Sequence, residues 1–231
     1  SLKLGTDYGE REPVFTDDQS AATKADLLSL LINGTTPSQR RADNTVMWSL
    51  DDRLQANIGQ AWCHMFQALN SEDRDLSVAE IIFEQTLLRW PESIQAKLGL
   101  GTVLLQQGRL PEAETKLREV VANPAYAEAW HNLGLALADQ HNWVDARKCF
   151  EQALRFRPEH LPDLINVAKA SIDGGQFEIA ERYLNTARDI HPKSTEPLHF
   201  QGMLAAVRGD LPTALTHFDA VLRRQPDHAQ A

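Results

Sequence analysis

The stretch Ala127–His160, AEAWHNLGLALADQHNWVDARKCFEQALRFRPEH, decides the fold. Its proline belongs to a series: Pro91, Pro124, Pro158, Pro192 and Pro226 stand 33, 34, 34 and 34 residues apart. Each closes a run with helical spacing of apolar residues, and proline cannot continue a helix, so the series marks breaks between units. Two further series keep the same step. Ala79, Ala113, Ala146, Ala180 and Ala214 are followed four residues later by Phe83, Leu117, Phe150, Leu184 and Phe218. Gly101, Gly134, Ala168 and Gly202 form the third. Small residues at fixed places let two helices approach closely, and a large residue fills the adjoining gap. Turn signals lie between them in QQGRLPEA, DQHNWVDA, DGGQFEIA and VRGDLPTA. Pro111 and Pro212 then fall in the first helical turn, where proline is tolerated. Each unit therefore reads as helix, tight turn, helix and a proline-marked turn.

This pattern resembles the tetratricopeptide repeat, whose period is 34 and whose signature is W-x2-L-G-x2-Y followed by Ala, an aromatic and Pro. Trp130, Leu133, Gly134, Ala146, Phe150, Ala153 and Pro158 carry the resemblance; Lys97, Leu164 and Leu198 replace the tryptophan elsewhere, and Gln201 replaces the leucine. The resemblance implies an all-α, right-handed superhelical solenoid of helix-turn-helix repeats with an N-terminal helical extension. Four repeats are expected over 94–228 (94–126, 127–160, 161–194 and 195–228), after a degenerate repeat over 60–93. Residues 23–59 read as a helical extension or cap, 1–22 as a polar, flexible segment, and 229–231 as the start of a further helix. Apolar residues from Met47 through Leu50, Leu54, Ile58, Trp62 and Met65 to Leu69 step at helical intervals, predicting one long helix over roughly 44–70 with Gly59 as a place to bend. KADLLSLLI at 24–32 predicts a shorter helix beside it.

Composition narrows the function. With 32 acidic against 23 basic side chains and a net charge of -9, the chain offers no basic patch beyond QRR at 39–41 and RR at 223–224, which argues against nucleic acid. Cys63 and Cys149 are too few for a disulfide scaffold and are expected as buried thiols on apolar helical faces. No apolar run approaches the ~18 residues of a membrane span, so direct membrane insertion is not expected. The chain opens on Ser without a signal peptide, which points to a processed or excised start. A cytoplasmic location is favoured, and a periplasmic or membrane-tethered one stays open. GxSxG, HExxH and phosphate-binding glycine loops are missing, and GLGTVLLQQG lies in a helix without a preceding strand. The NGT at 33–35 fits the glycosylation pattern, a frequent accidental match. Neither cofactor nor metal is expected, and the chain reads as non-catalytic. His131 and His199 share a column two repeats apart, about 20 Å at the helix-packing distance, too far to ligate one ion. His141 falls in a turn, His191 and His228 flank prolines, and His64, His160 and His217 show no acidic or thiol partner at catalytic spacing.

In tetratricopeptide arrays the first helix of each repeat lines a concave face. The resemblance assigns to that face Leu98, Thr102 and Leu105; His131, Asn132 and Leu135; Ile165, Asn166 and Lys169; and His199 and Met203. A mostly apolar surface with a thin line of hydrogen-bonding groups suits an extended peptide or an amphipathic helix of a protein partner. Asn132 and Asn166 share a column that resembles the asparagine ladder of the O-GlcNAc transferase superhelix, where a carboxamide pairs with peptide backbone. The other reading of these asparagines, packing against a neighbouring helix, stays open; Gly99 and Phe200 interrupt the column. A carboxylate clamp is not supported, because Leu98, Thr102, Pro162 and Asn166 supply no cationic pair. The expected function is a protein-interaction scaffold. The alternatives are a targeting region of a larger enzyme of glycosyltransferase or sulfotransferase type, or a bacterial envelope assembly factor. The helix with Phe218, Val221 and Leu222 has no polar cap after it, which suggests self-association through that end.

Overall fold

The structure, a computed structural model, describes residues 50–71, 73–122 and 126–224. The expected segments 1–22, 24–32 and 229–231, the start of the 44–70 helix, the NGT site, His228, Pro124 and Pro226 lie outside the described residues. The chain divides into two compact units, residues 1–123 and 124–231. The first contains α1 (Leu50–Leu69), α2 (Ser77–Arg89), α3 (Ile94–Gln106) and α4 (Leu110–Val121). The second contains α5 (Ala127–Asp139), α6 (Trp143–Phe156), α7 (Leu161–Asp173), α8 (Phe177–Ile190), α9 (Glu196–Val207) and α10 (Leu211–Arg224). All regular structure among the described residues is helical, and α1 runs through Gly59 as one helix.

Helix boundaries follow local chemistry. Ser93 caps α3 by accepting from the Ala96 amide, and Asp210 accepts from the Thr213 amide at the start of α10. Pro111, Pro162 and Pro197 occupy first-turn positions in α4, α7 and α9. Pro91, Pro158 and Pro192 fall just beyond the ends of α2, α6 and α8. In the tight turns Gly108, Gly175 and Gly209 adopt φ of 75°, 70° and 83°, and His141 stands in the same column at φ 61°. A residue with a Cβ is strained there, so the DQHN turn keeps a backbone shape built for glycine.

First and second helices bury different amounts of themselves. The second helices are one-sided: α8 buries Ala180, Leu184 and Ala187, spaced i, i+4, i+7, and α4 buries Ala113, Leu117 and Val120. The first helices are flanked on more than one side, and α3 buries every residue from Leu98 to Leu105. Across each pair the small column meets the large one. A Cβ added at Gly134 of α5 would sit 2.6–2.8 Å from three ring atoms of Phe150 on α6. One at Gly202 would meet Phe218 at 2.6–2.9 Å, and one at Gly101 would meet Leu117 at 2.8 Å. The degenerate repeat uses the same ring differently. Phe83 on α2 stands edge-on to Trp62 of α1, with centroids 5.6 Å apart, and fills the space a Cβ at Gly99 of α3 would need. Gly99 interrupts the asparagine column because Phe83 occupies that place.

A polar latch joins successive pairs inside each unit. Glu80 on α2 accepts from Gln107 (2.7 Å) and pairs with Arg109, both in the turn after α3. In the second unit, Arg147 on α6 donates to Gln176 before α8 (2.9 Å). Glu181 on α8 pairs with Arg208 after α9 at 2.8 Å. Glu80, Arg147 and Glu181 share one second-helix column, and each ties its pair to the turn of the next pair within the same unit. Cys149 is buried as expected; Cys63 is half-buried, since the helix carrying it is covered on fewer sides.

Candidate partner-binding face

The expected face divides by burial. In the first unit, Leu98, Thr102 and Leu105 are all buried, and the Thr102 hydroxyl donates to the Leu98 carbonyl of its own helix (2.9 Å). In the second unit, Asn132 is 7% exposed and Ile165 is also buried. These five residues supply packing and floor, because their helices are covered on several sides. Leu135 and Asn166 are half-buried, and Lys169 and Met203 are exposed. His199 is half-buried, its ring edge-on to Phe200 (5.4 Å) and tilted on Phe218 (5.7 Å). Inside this unit α7 packs beside α9, so Asn166, Lys169, His199 and Met203 belong to adjacent first helices.

His131 is more than a wall residue. Its Nδ1 lies 2.5 Å from Oδ1 of Asp163, a carboxylate in the first turn of α7 with no solvent exposure. Arg157 donates from Nε to Asp163 Oδ2 at 2.7 Å and approaches Oδ1 through its terminal nitrogen at 3.4 Å. His160, the residue before α7, brings Nδ1 within 3.0 Å of the same Oδ2, without the alignment of a full hydrogen bond. The expectation that His160 has no acidic partner is therefore corrected: His-x-x-Asp at the start of a helix folds both side chains to one side. The two imidazoles stand edge-on, 6.1 Å apart, and His131 is also edge-on to Phe150 at 5.8 Å. Burial holds His160 below the usual imidazole range; the carboxylate of Asp163 opposes that shift and the Arg157 charge adds to it. A buried carboxylate is tolerable here because cationic and imidazole donors surround it.

This knot fixes α5 to the start of α7 and orients the His131 ring. Sequence spacing concealed it: His131 and Asp163 are 32 residues apart, two short of the period, so no shared column links them. The same offset recurs where His191 Nε2 meets the Glu159 carbonyl (2.6 Å) and where Arg224 donates to the Pro192 carbonyl (3.0 Å). No three His, Cys, Asp or Glu side chains among the described residues come together as ligands for a metal ion.

Two tetratricopeptide repeat models match the chain, one over residues 127–160 and one over 71–128 and 168–229. The chain belongs to the tetratricopeptide repeat family. It is 30% identical over 116 residues to Superkiller protein 3 of Schizosaccharomyces pombe, covering 47% of this chain and only 8% of that protein. Solved structures show the same fold. PilW, a widely conserved type IV pilus biogenesis factor, superposes with a TM-score of 0.66 at 20% identity, over 77% of this chain and 80% of its own. YrrB, a tetratricopeptide protein with an unusual peptide-binding site, gives 0.62 at 17% identity, over 91% and 95%. MamA from Desulfovibrio magneticus gives 0.65 at 16% identity, over 75% and 97%. The chain thus has the repeat architecture of a protein-interaction scaffold, and no described helix is long and apolar enough to cross a membrane.

Proposed function

We propose that this chain is a non-catalytic scaffold that holds an extended peptide or a helix of a partner protein against the first helices of its second unit. The observation that carries this reading is the side-by-side placement of α7 and α9, with Asn166, Lys169, His199 and Met203 reachable above a floor of Ile165 and its neighbours. An apolar floor gives affinity, and a carboxamide and an ammonium at its edge set orientation. The backbone-reading role expected of two asparagines narrows to Asn166, because Asn132 is buried. The unusual peptide-binding site of YrrB is compatible with this use of the fold.

The test is a binding titration of candidate partner segments against the native chain and the variants Asn166→Ala and Lys169→Glu. Loss of one backbone-directed hydrogen bond should weaken binding by about three- to tenfold. Equal affinity of both variants for every segment bound by the native chain would sink the proposed face.

A further inference from the structure

Asp163, Phe150 and His160 hold the His131 ring in one orientation. Nδ1 lies 2.5 Å from Oδ1 of Asp163, and the rings of Phe150 and His160 stand edge-on at 5.8 Å and 6.1 Å. The ring keeps an open side, with 18% of its side chain exposed. Nε2 has no partner among the described residues and lies on that open side. His131 shares its column with Ile165 and His199 at the repeat period, and half-buried Leu135 follows one turn later on α5. The ring therefore stands at the α5 edge of the face that carries Asn166 and Lys169 on α7.

The chemistry of Asp163 decides which ring nitrogen carries the hydrogen. Its carboxylate lies in the first turn of α7, where the helix dipole favours negative charge, and Arg157 donates to Oδ2 at 2.7 Å. A carboxylate paired in this way only accepts, so Nδ1 of His131 must be the donor. In the neutral imidazole the other nitrogen is then an acceptor. The ring is fixed before any partner arrives, so using it costs little ordering on binding. A partner carboxylate against Nε2 would set acceptor against acceptor; a hydroxyl or an amide N–H completes the bond.

We infer that His131 is a preset hydrogen-bond acceptor that selects a hydroxyl or amide N–H of the partner segment, with Asp163 and Arg157 as the residues that position it. This rests on the partner face proposed above and adds what the partner must offer at its α5 edge.

Long-range proton–nitrogen NMR of the isotope-labelled full chain at about pH 8.5 reads the ring directly, with His131→Phe identifying its signals. The expected pattern is hydrogen on Nδ1 and a bare Nε2. Asp163→Asn should move the hydrogen to Nε2, because the carboxamide oxygen stays with Arg157 and its amino group turns to Nδ1. Hydrogen on Nε2 in the native chain overturns the inference. Binding at the same pH uses peptides selected on the full chain from a random-peptide phage library. For peptides that Asn166→Ala or Lys169→Glu weakens, His131→Phe and Asp163→Asn should each raise the dissociation constant about three- to tenfold. Circular dichroism checks both variants for native helix content, and either one that folds decides the matter. If such peptides bind it as tightly as the native chain, His131 selects nothing and the face stands without it. Peptides indifferent to Asn166→Ala and Lys169→Glu, or a library that yields no binder, remove the face and the inference with it.

Discussion

Replacing Gly134 by alanine tests the packing logic of the repeats, because two known effects oppose each other there. In an open helix interior, glycine to alanine stabilises by about 1 kcal/mol through backbone entropy and propensity. At Gly134 the new methyl would lie 2.6–2.8 Å from three ring carbons of Phe150, well inside ordinary van der Waals contact. The ring cannot swing away freely, since Phe150 is 1% exposed and His131 stands edge-on to it. Overpacking of this kind costs about 1–3 kcal/mol, and the rigid surroundings place it at the upper end, for a net loss of about 1–2 kcal/mol. Gly59 is the control: it lies inside α1, and an added Cβ would meet nothing within 4 Å. Gly59→Ala should therefore stabilise by about 0.5–1 kcal/mol. Urea unfolding followed by circular dichroism measures both. Adding Phe150→Leu to Gly134→Ala should cost less than the two single changes together, by about 1 kcal/mol of coupling. If Gly134→Ala raises the unfolding midpoint as Gly59→Ala does, the close approach of α5 and α6 is not what excludes a side chain there.

His141→Gly should stabilise the second unit by about 1 kcal/mol, by relieving the positive φ its three counterparts meet with glycine; an unchanged urea midpoint contradicts this. Asp163→Ala should cost about 2–3 kcal/mol, discounted for partly exposed partners, and a loss under about 0.5 kcal/mol would show that the knot is ornamental to stability. Stability should also fall on acidification. Burial holds His160 below the usual imidazole range, and burial with nearby Arg188 does the same to His217. As the pH drops through about 6.5, the unfolded chain binds protons that the folded chain resists, so stability is complete above that value and lost below it. Urea midpoints between about pH 8 and about pH 5.5 read the slope, which His160→Gln and His217→Gln should flatten; a midpoint that rises on acidification contradicts the sign.

The repeat and its locks were legible because each depends on residues in fixed register. Pro158 ends a helix wherever it stands, and Gly134 and Phe150 recur with their counterparts at one spacing. The division of the face was harder to read. Leu98, Thr102 and Leu105 share columns with more open residues of later repeats, yet α3 is flanked on more than one side and buries all three. Periodicity ranks positions around a helix; it does not count the neighbours each helix acquires. The Asp163 knot and the latches escaped for a different reason. They join side chains 27 to 32 residues apart that lie in different columns, so only the folded turns reveal the pairs. Gly99 looked like a gap in an asparagine column and proved to be the seat of the Phe83 ring.

Site-specific photo-crosslinking in the source cell reports where a partner protein sits on the repeats. A photoreactive residue at Lys169, on the proposed face, is compared with one at Lys148, also exposed but on a second helix. A partner held against α7 and α9 gives a discrete adduct from position 169, reduced by Asn166→Ala, and none from position 148. Adducts from position 148 alone would place the partner on the second helices and contradict the proposed face.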